Sequence, residues 1–157
     1  LGDERREYIG ALINIDQGVV SRWAEDRNIG FSTFTDLSQK PEIAELIRTE
    51  IERVNRFLPE NARVRRFAQR VRRFFLLYKE LDPDEGELTR TRKLRREFLE
   101  ERYGALIEGL YAGVPQVHLE IPVTYQDGRK GMLAATVALH EVAAPVAVRR
   151  DPITERA

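Results

Sequence analysis

The sequence predicts an α+β fold, in which helices pack against a small β-sheet and a β-hairpin closes the C-terminal end. Two apolar segments, residues 8–15 and 74–78, have the composition of buried strands. Between them, apolar side chains recur at helical spacing after Pro41. Alternating apolar and polar residues over 117–126, then Asp127-Gly128 and a second apolar segment, indicate two strands joined by a tight turn.

Composition limits the possible classes of protein. A chain of 157 residues is long enough for one domain with its own core. Lys+Arg and Asp+Glu number 26 each, so any basic character is local. The absence of cysteine excludes a disulfide framework and a thiolate metal site. We see no membrane span and no signal-peptide pattern, and the first residue is not Met, so we expect a soluble, intracellular fragment of a longer protein.

The first elements are a strand and a short helix. Gly10, within the strand predicted over residues 8–15, permits close approach of another backbone or side chain. Asp16 is a good N-cap for a helix that closes near Asn28-Gly30. Trp23 lies at helical spacing, which favours a place in the core over a role as a ligand platform.

A loop and a long helix follow. Residues 31–40 are rich in Ser, Thr and Asp and predict a loop, and Pro41 is suited to the first turn of a helix. We expect this helix to end at Pro59. Its apolar stripe consists of Ile43, Leu46, Ile47, Ile51, Val54 and Leu58.

Arg-Val-Arg-Arg-Phe occurs twice, at residues 63–67 and 70–74. The spacing predicts one helical stripe of Val64, Phe67, Val71 and Phe74 with arginines on the opposite face, before a strand resumes at Phe74. The additional residues would then lengthen a helix or a loop. An arginine-rich amphipathic segment also has the character of a nucleic-acid-binding or lipid-binding surface, but few aromatic residues accompany it.

Residues 82–96 combine an acidic turn with a cationic run. Asp82, Pro83 and Gly86 have the chemistry of a turn. Five cations then follow without an acid between them: Arg90, Arg92, Lys93, Arg95 and Arg96. Such a run after a buried strand suits a phosphate or carboxylate, and it is equally typical of a solvated, basic helix start.

The C-terminal half predicts a helix and the hairpin. The helix runs from Phe98 to Tyr111 and is stopped by Gly113 and Pro115. Pro122 cannot donate a hydrogen bond to a neighbouring strand, so the first arm of the hairpin is expected at a sheet edge. His118 and His140, the two histidines, are expected to be ordinary surface residues and not metal ligands. We expect a domain over residues 1–142 and a flexible tail over 143–157.

Residues 86–96, Gly-Glu-Leu-Thr-Arg-Thr-Arg-Lys-Leu-Arg-Arg, resemble the last core motif of adenylate-forming enzymes, Lys-Thr-x-x-Gly-Lys-x-x-Arg. The form is similar to that of bacterial long-chain fatty acid–CoA ligases. Thr91 falls two residues before Lys93, Arg96 falls three after it, and Arg92 stands where Gly is usual. The likeness extends to segments 8–13, 35–41 and 124–131, and so covers most of the chain.

This resemblance implies the mobile C-terminal (lid) domain of an AMP-forming ligase whose N-terminal adenylation domain is absent. It implies Lys93 as the catalytic residue, and Thr91, Arg90, Arg92 and Arg96 as contacts to ATP or CoA phosphates. ATP, CoA and Mg²⁺ would be bound mainly by the missing domain, and the substrate would be a long-chain fatty acid. The implied location is cytoplasmic, with peripheral contact at the inner face of the membrane as an open alternative. No metal site in this chain and no nucleic-acid partner are expected.

Motifs that are absent agree with a partial enzyme. No Ser-His-Asp set, cysteine nucleophile, GxGxxG or P-loop can be assembled from these residues. The phosphate loop, the aromatic-Glu motif and the Gly-Arg-x-Lys-Asp hinge of the resembled ligases are also missing, so we expect the fragment alone to be inactive. Two alternatives stay open: an arginine-rich nucleic-acid-binding module, and a non-catalytic interaction domain that pairs through the edge of its hairpin.

Overall fold

The computed structural model describes residues 8–57, 70–124 and 128–143. The architecture is α+β, which confirms the predicted fold class. Its elements in chain order are β1 (Ile9–Ile13), α1 (Gln17–Glu25), α2 (Phe34–Ser38), α3 (Pro41–Phe57), β2 (Val71–Leu76), α4 (Arg96–Arg102), α5 (Gly104–Ala112), β3 (Gln116–Thr124) and β4 (Lys130–Glu141).

The four strands form one mixed sheet in the order β1-β2-β4-β3. β1 runs parallel to β2, while β4 is antiparallel to both β2 and β3. The predicted hairpin is present, with β3 and β4 paired from Gln116↔Ala138 to Thr124↔Lys130. β3 lies at an edge of the sheet, as the proline at 122 predicts. Asp127 lies outside the described residues, and Gly128 adopts a φ of 81°.

Successive residues of β2 pack into two separate hydrophobic cores, because neighbouring side chains of a strand point to opposite faces of the sheet. Phe74 belongs to a cluster on the face covered by α1, α2 and α3, whereas Phe75 belongs to a cluster on the face covered by α5. Both phenyl rings are fully buried. The sheet is therefore the middle layer of the fold, and β2 is its most buried strand.

Gly10 makes the close approach that the sequence predicts. A Cβ atom added at Gly10 would lie 1.9 Å from Leu110 Cδ2, so the side chain of α5 fills the space above β1. The absence of a side chain at Gly10 thus allows α5 to pack closely against the sheet.

The predictions for α1 and Trp23 are confirmed. Asp16 caps α1, with Oδ1 accepting a hydrogen bond from the Val19 N–H at 2.9 Å. Trp23 packs partly buried against the first core, and the Arg27 guanidinium lies 4.2 Å from its ring centroid.

The loop predicted over residues 31–40 is wrong in part, because it contains the short helix α2. Thr33 caps this helix by accepting a hydrogen bond from the Asp36 N–H at 3.1 Å. One of the Thr residues that suggested a loop is therefore a helix cap, whose side chain satisfies one of the first backbone N–H groups of the helix. The helix predicted after Pro41 is confirmed as α3, while Leu58 and Pro59 lie outside the described residues.

The helical stripe predicted across the repeat is wrong at its second copy. Residues 71–74 are part of strand β2, which begins at Val71 and not at Phe74. Pairing with β1 and β4 overrides the helical spacing. The buried Asn55 of α3 also holds the start of the strand, donating to the Val71 carbonyl at 2.9 Å and accepting from its N–H at 3.0 Å. The first copy, residues 63–67, lies outside the described residues.

The helix predicted from Phe98 to Tyr111 is divided into α4 and α5 at Tyr103. The Tyr103 side chain is buried, and its backbone φ of −101° and ψ of 19° leave the helical region. The left-handed Gly113, with φ of 73°, ends α5. The predicted tail over 143–157 lies outside the described residues except for Ala143, so the boundary after residue 142 stays a prediction.

The expectation of two ordinary surface histidines holds for one of them. His118 is exposed, and its Nδ1 lies 2.8 Å from Thr136 Oγ1. His140 is half-buried, with its ring centroid 5.0 Å from that of Phe74. Burial lowers the pKa of His140, and the nearby Arg48 cation lowers it further.

Candidate functional site

The segment that leaves the end of β2 leads to the cationic run. Its backbone is held by side chains from the β1–α1 connection and from the α2 region, which donate hydrogen bonds to its carbonyl groups. The carbonyl oxygens of Leu76, Tyr78 and Lys79 accept hydrogen bonds from Gln39 Nε2 at 2.9 Å, Thr35 Oγ1 at 2.7 Å and Asn14 Nδ2 at 2.8 Å.

The acidic turn is built from local hydrogen bonds. Asp82 Oδ1 accepts from the Asp84 N–H at 2.8 Å, and the Pro83 carbonyl accepts from the Gly86 N–H at 3.0 Å. Gly86 adopts a φ of 81°, a conformation that glycine takes without steric cost. Turn chemistry at Asp82, Pro83 and Gly86 is therefore confirmed.

Directly after this turn, Glu87 is fully buried, and the sequence analysis assigned it no role. One carboxylate oxygen, Oε1, accepts from the Tyr103 hydroxyl at 2.6 Å and lies 3.3 Å from Arg102 Nε. The other, Oε2, accepts from Lys79 Nζ at 2.6 Å and from the Asp82 N–H at 2.9 Å. A single glutamate between Gly86 and an apolar residue gives no sequence signal for burial, because its burial depends on four partners, and two of them, Arg102 and Tyr103, come from the junction of α4 and α5.

These contacts keep the Glu87 carboxyl ionised. Burial alone would raise its pKa, but the hydrogen bonds from Lys79, Tyr103 and the Asp82 N–H, together with the Lys79 charge, bring the pKa below its usual value. The same hydrogen bond acts in the opposite direction on Tyr103, whose pKa is raised by burial and by its donation to Glu87. Glu87 is thus a buried anion that two cations neutralise.

The cationic run forms a second, small hairpin. Leu88 pairs with Leu94 in an antiparallel bridge, and the Thr89 N–H donates to the Lys93 carbonyl at 2.8 Å. The Arg92 N–H donates back to the Thr89 carbonyl at 2.9 Å. This pattern is that of a three-residue hairpin loop over residues 90–92, in which the last loop residue is left-handed.

Arg92 occupies that left-handed position, with a φ of 59°. Residues other than Gly, Asn and Asp seldom adopt this conformation, because the Cβ approaches the neighbouring carbonyl oxygen. Arg92 is also the residue that stands where the resembled motif has Gly. A glycine would adopt this left-handed conformation without steric cost, and an arginine adopts it here.

The loop brings together four of the five predicted site residues. Arg90, Thr91, Arg92 and Lys93 are all exposed on it, and Thr91 Oγ1 lies 3.0 Å from Thr89 Oγ1. Arg96 is separated from them, because it begins α4 beyond the Leu88–Leu94 bridge. Thr89, which the sequence analysis did not select, also accepts a hydrogen bond from the Lys93 N–H at 3.0 Å.

The cations of the run differ in their surroundings. Arg95 is used within the fold: its Nη1 donates to the Gly86 carbonyl at 2.9 Å and its guanidinium lies 5.3 Å from the Phe98 ring centroid. By contrast, the side chains of Arg90, Arg92 and Lys93 make no hydrogen bond or ion pair to any residue that the structure describes. They present positive charge to a ligand without first breaking a contact.

Such an arrangement suits recognition of phosphate or carboxylate groups. An ammonium is a compact charge that needs no fixed direction of approach, while guanidinium groups donate in pairs to phosphate oxygens. A loop closed by its own backbone hydrogen bonds holds these groups at a defined place. The candidate site therefore combines one lysine and two arginines, all exposed, on a small turn closed by backbone hydrogen bonds.

Comparison with known proteins points to one class, the long-chain fatty acid–CoA ligases. The chain is 27% identical over 109 residues to the long-chain-fatty-acid–CoA ligase FadD15 of Mycobacterium tuberculosis, and equally to that of Mycobacterium bovis. It is 34% identical over 76 residues to the long-chain-fatty-acid–CoA ligase heimdall of Drosophila melanogaster. No family model matches the chain, and no solved structure matches it.

The similarity covers part of each protein. It includes 69% of this chain and 17% of each mycobacterial ligase, and 48% of this chain and 10% of the Drosophila ligase. The matched region thus spans less than a fifth of these relatives. This supports a relationship to the adenylate-forming enzymes over part of the chain. Within the described ranges, no helix is long and apolar enough to cross a membrane.

Proposed function

We propose that residues 1–142 are the C-terminal lid domain of an AMP-forming long-chain fatty acid–CoA ligase, with 143–157 as its tail. In this proposal Lys93 supplies the ammonium for acyl-adenylate formation. The proposal rests on one observation above all: Lys93 follows a left-handed residue on a tight hairpin and makes no ion pair with any described residue.

The chemical need for such a lysine follows from charge. When the fatty acid carboxylate attacks the α-phosphate of ATP, two anions approach each other and charge accumulates on the phosphate oxygens. An ammonium held between them stabilises the transition state more than the separated reactants. CoA thiol then displaces AMP from the acyl-adenylate, a step in which this charge is no longer accumulating.

Arg90, Thr91, Arg92 and Arg96 are proposed contacts to the phosphates of ATP or CoA. Arg90 and Arg92 are exposed on the same loop as Lys93, and the Thr91 hydroxyl lies beside them, 3.0 Å from Thr89 Oγ1. Arg96 is one turn away at the start of α4 and would meet a different part of a ligand. The partners in this proposal are the fatty acid, ATP, CoA and an N-terminal adenylation domain, in a cytoplasmic enzyme.

The resemblance also implies Mg²⁺, which would neutralise ATP phosphates. The residues present here do not fit the ion: in ranges 8–57, 70–124 and 128–143 no three His, Asp or Glu side chains lie together as possible ligands. Glu85 and Glu87, the acids of the turn that precedes the loop, are already bound to Lys79 and Arg102. We derive no step through a metal held by this chain.

The test separates the two half-reactions in the full-length ligase. Lys93→Ala should slow acyl-adenylate formation by about 10²–10³-fold, roughly 2.7–4 kcal/mol, because it removes one preorganised electrostatic contact. Thioester formation from supplied acyl-adenylate should be largely spared. Pyrophosphate release and acyl-CoA formation measure the two steps.

Lys130→Ala is the matched control, since Lys130 is an exposed lysine beside the turn of the other hairpin. Lys79, which precedes the acidic turn and would otherwise serve, is unsuitable because it binds the buried Glu87. Equal slowing of both half-reactions by Lys93→Ala would make the residue a general scaffold. No slowing of either would overturn the proposed role.

Part of the surface that the alternative of a nucleic-acid-binding module requires is used within the fold. In the second copy of the repeat, Arg70 Nε donates to the Asn55 carbonyl at 3.2 Å, and Arg73 contacts Tyr8 Oη at 2.8 Å and Glu141 Oε1 at 3.1 Å. These arginines serve the fold. A filter-binding assay across a salt series would reveal phosphate neutralisation as a steep log–log slope; a flat response agrees with the ligase proposal.

A further inference from the structure

The acidic turn and the cationic hairpin are joined by a closed set of charges. Glu85 lies 3.2 Å from Lys79 Nζ and 2.5 Å from Arg102 Nη2, and Glu87 contacts the same two cations. Two acids and two bases therefore neutralise one another. Tyr103 adds a neutral donor to Glu87 from the point where α4 and α5 separate.

This charge cluster stands at the base of the hairpin that carries Lys93. The Glu87 carbonyl accepts from the Arg95 N–H at 3.1 Å, and the next residue, Leu88, pairs with Leu94. Glu87 thus contributes its carboxylate to the cluster and its carbonyl to the hairpin. A shift of the carboxylate would move both strands of the small hairpin together.

Stability alone does not explain a buried charge at this place. Removing ions from water is costly, and an apolar residue of similar volume often serves a fold equally well or better. What charged partners provide is a defined direction for each hydrogen bond. The four contacts of the Glu87 carboxylate come from the segment after β2, the acidic turn and the α4–α5 junction, so they set the base of the hairpin relative to three parts of the fold.

We propose that Glu87 is a positioning residue for Lys93, with Lys79, Arg102 and Tyr103 fixing the hairpin base through its carboxylate. The structural part of this inference concerns the chain alone. Its catalytic part rests on the proposed function, because it assumes that the place of the Lys93 ammonium matters for adenylate formation.

The first test uses amide hydrogen exchange to measure how often the backbone hydrogen bonds of the hairpin open. Glu87→Gln keeps the shape of the side chain but removes the charge, so Lys79 and Arg102 lose their shared anion. The Thr89 and Arg95 N–H groups, which close the hairpin, should exchange at least about tenfold faster. The Phe75 N–H, within the buried strand β2, should change much less. Unchanged exchange at Thr89 and Arg95 would overturn the proposal, whatever the protein catalyses.

A second variant protects the test against a failure to fold. Tyr103→Phe removes one hydroxyl and the 2.6 Å hydrogen bond to Glu87, with the ring retained. It should cause the same selective loss of protection at the hairpin, to a smaller degree. Glu141→Gln is the matched control, because Glu141 is an exposed acid paired with Arg73 on β2, away from the hairpin. It should leave the exchange of Thr89 and Arg95 unchanged.

The catalytic test is a double-mutant cycle in the full-length ligase. Glu87→Gln should slow acyl-adenylate formation by about tenfold to a hundredfold, as expected for a displaced catalytic group. In a Lys93→Ala background the same change should have almost no further effect, because a residue that acts through Lys93 has nothing left to position. If Glu87→Gln instead slowed the reaction independently of Lys93, the rate reductions caused by the two substitutions would multiply in the double mutant.

The outcomes separate the two proposals. Multiplying effects would overturn the positioning role while leaving Lys93 as the adenylation lysine. If Lys93→Ala has no effect on adenylate formation, the proposed function fails. The hydrogen-exchange result then still decides whether Glu87 orders the hairpin.

Discussion

At the scale of single residues, Arg92 shows how a departure from a motif is accommodated. Its φ of 59° places an arginine in a conformation that glycine adopts freely. The hydrogen bonds on both sides of it, Arg92 N–H to Thr89 O and Thr89 N–H to Lys93 O, keep it there. The turn is therefore dictated by the hairpin around it, and the arginine bears the conformational cost.

Arg92→Gly should accordingly stabilise the chain. Removing the backbone strain of a non-glycine residue in the left-handed conformation should raise the free energy of unfolding by about 1 kcal/mol. The greater conformational freedom of glycine in the unfolded state offsets part of this gain. We expect a small rise in the denaturant midpoint with an unchanged slope, measured by urea unfolding. Arg92→Ala, which removes the same charge but keeps a Cβ, should not give this gain.

Asn28 provides the matched comparison, as the other non-glycine residue with positive φ in the described ranges, at 56°. Asparagine tolerates this conformation better than arginine, so Asn28→Gly should gain less. If Arg92→Gly destabilised the chain instead, the Arg92 side chain would have to make a favourable contact that outweighs the backbone strain.

The residues of the site differ in how far sequence could reveal them. Lys93, Arg90, Thr91 and Arg92 could be selected as candidates because they are contiguous and match a motif; the structure places them on one loop, and their roles stay a prediction. Glu87 was not, although it is adjacent, because its meaning depends on Lys79, Arg102 and Tyr103 meeting it in space. His140 illustrates the same limit: only the fold places its ring against Phe74.

At the scale of helices and strands, the sequence predicted an element correctly where its local pattern was compatible with only one kind of secondary structure. The long apolar stripe of α3, the Asp16 cap of α1 and the alternation of β3 and β4 each predicted the element that formed. α2 was missed because its capping residues also resemble a loop. The second copy of the repeat was misassigned because apolar residues at helical spacing also fit a strand that is buried on both faces.

The repeat makes a deletion unusually informative. Removing residues 63–69 or residues 68–74 gives the same product, in which a single Arg-Val-Arg-Arg-Phe precedes Phe75. Strand β2 can therefore form with its own sequence intact. The change only shortens the connection between Phe57 of α3 and Val71 of β2 from thirteen residues to six.

This deletion should alter the free energy of unfolding by less than about 1 kcal/mol, since halving a loop changes its closure entropy by roughly 0.6 kcal/mol. Asn55 near the end of α3 already bonds Val71, so six residues have a short gap to cross. Thermal unfolding measures the effect, with Phe74→Ala as a destabilising comparison expected to cost about 3–5 kcal/mol. A deletion that prevents folding would mean that residues 58–69 contribute to the core.

At the scale of the whole molecule, the sheet separates two cores and the candidate site stands beyond the end of β2. Phe74 and Phe75 anchor the two faces, and the segment after them carries the acidic turn and the Lys93 hairpin. The fold class was predictable because it follows from the order of strands and helices. The strand order β1-β2-β4-β3 was not, since it depends on which edges meet in three dimensions.

In the proposed function this chain supplies a lysine for adenylate formation, while ATP is held mainly by an N-terminal adenylation domain. The sequence contains no phosphate-binding loop of the kinds found in nucleotide-binding domains, and one exposed lysine cannot orient a carboxylate against an α-phosphate. We therefore expect the 157-residue chain alone to release no pyrophosphate from ATP and oleate above the no-enzyme blank. The full-length ligase is the positive control under the same conditions. Turnover by the isolated chain that disappears in Lys93→Ala would show instead that the chain itself binds ATP, and would refute its assignment as a lid that depends on an N-terminal domain.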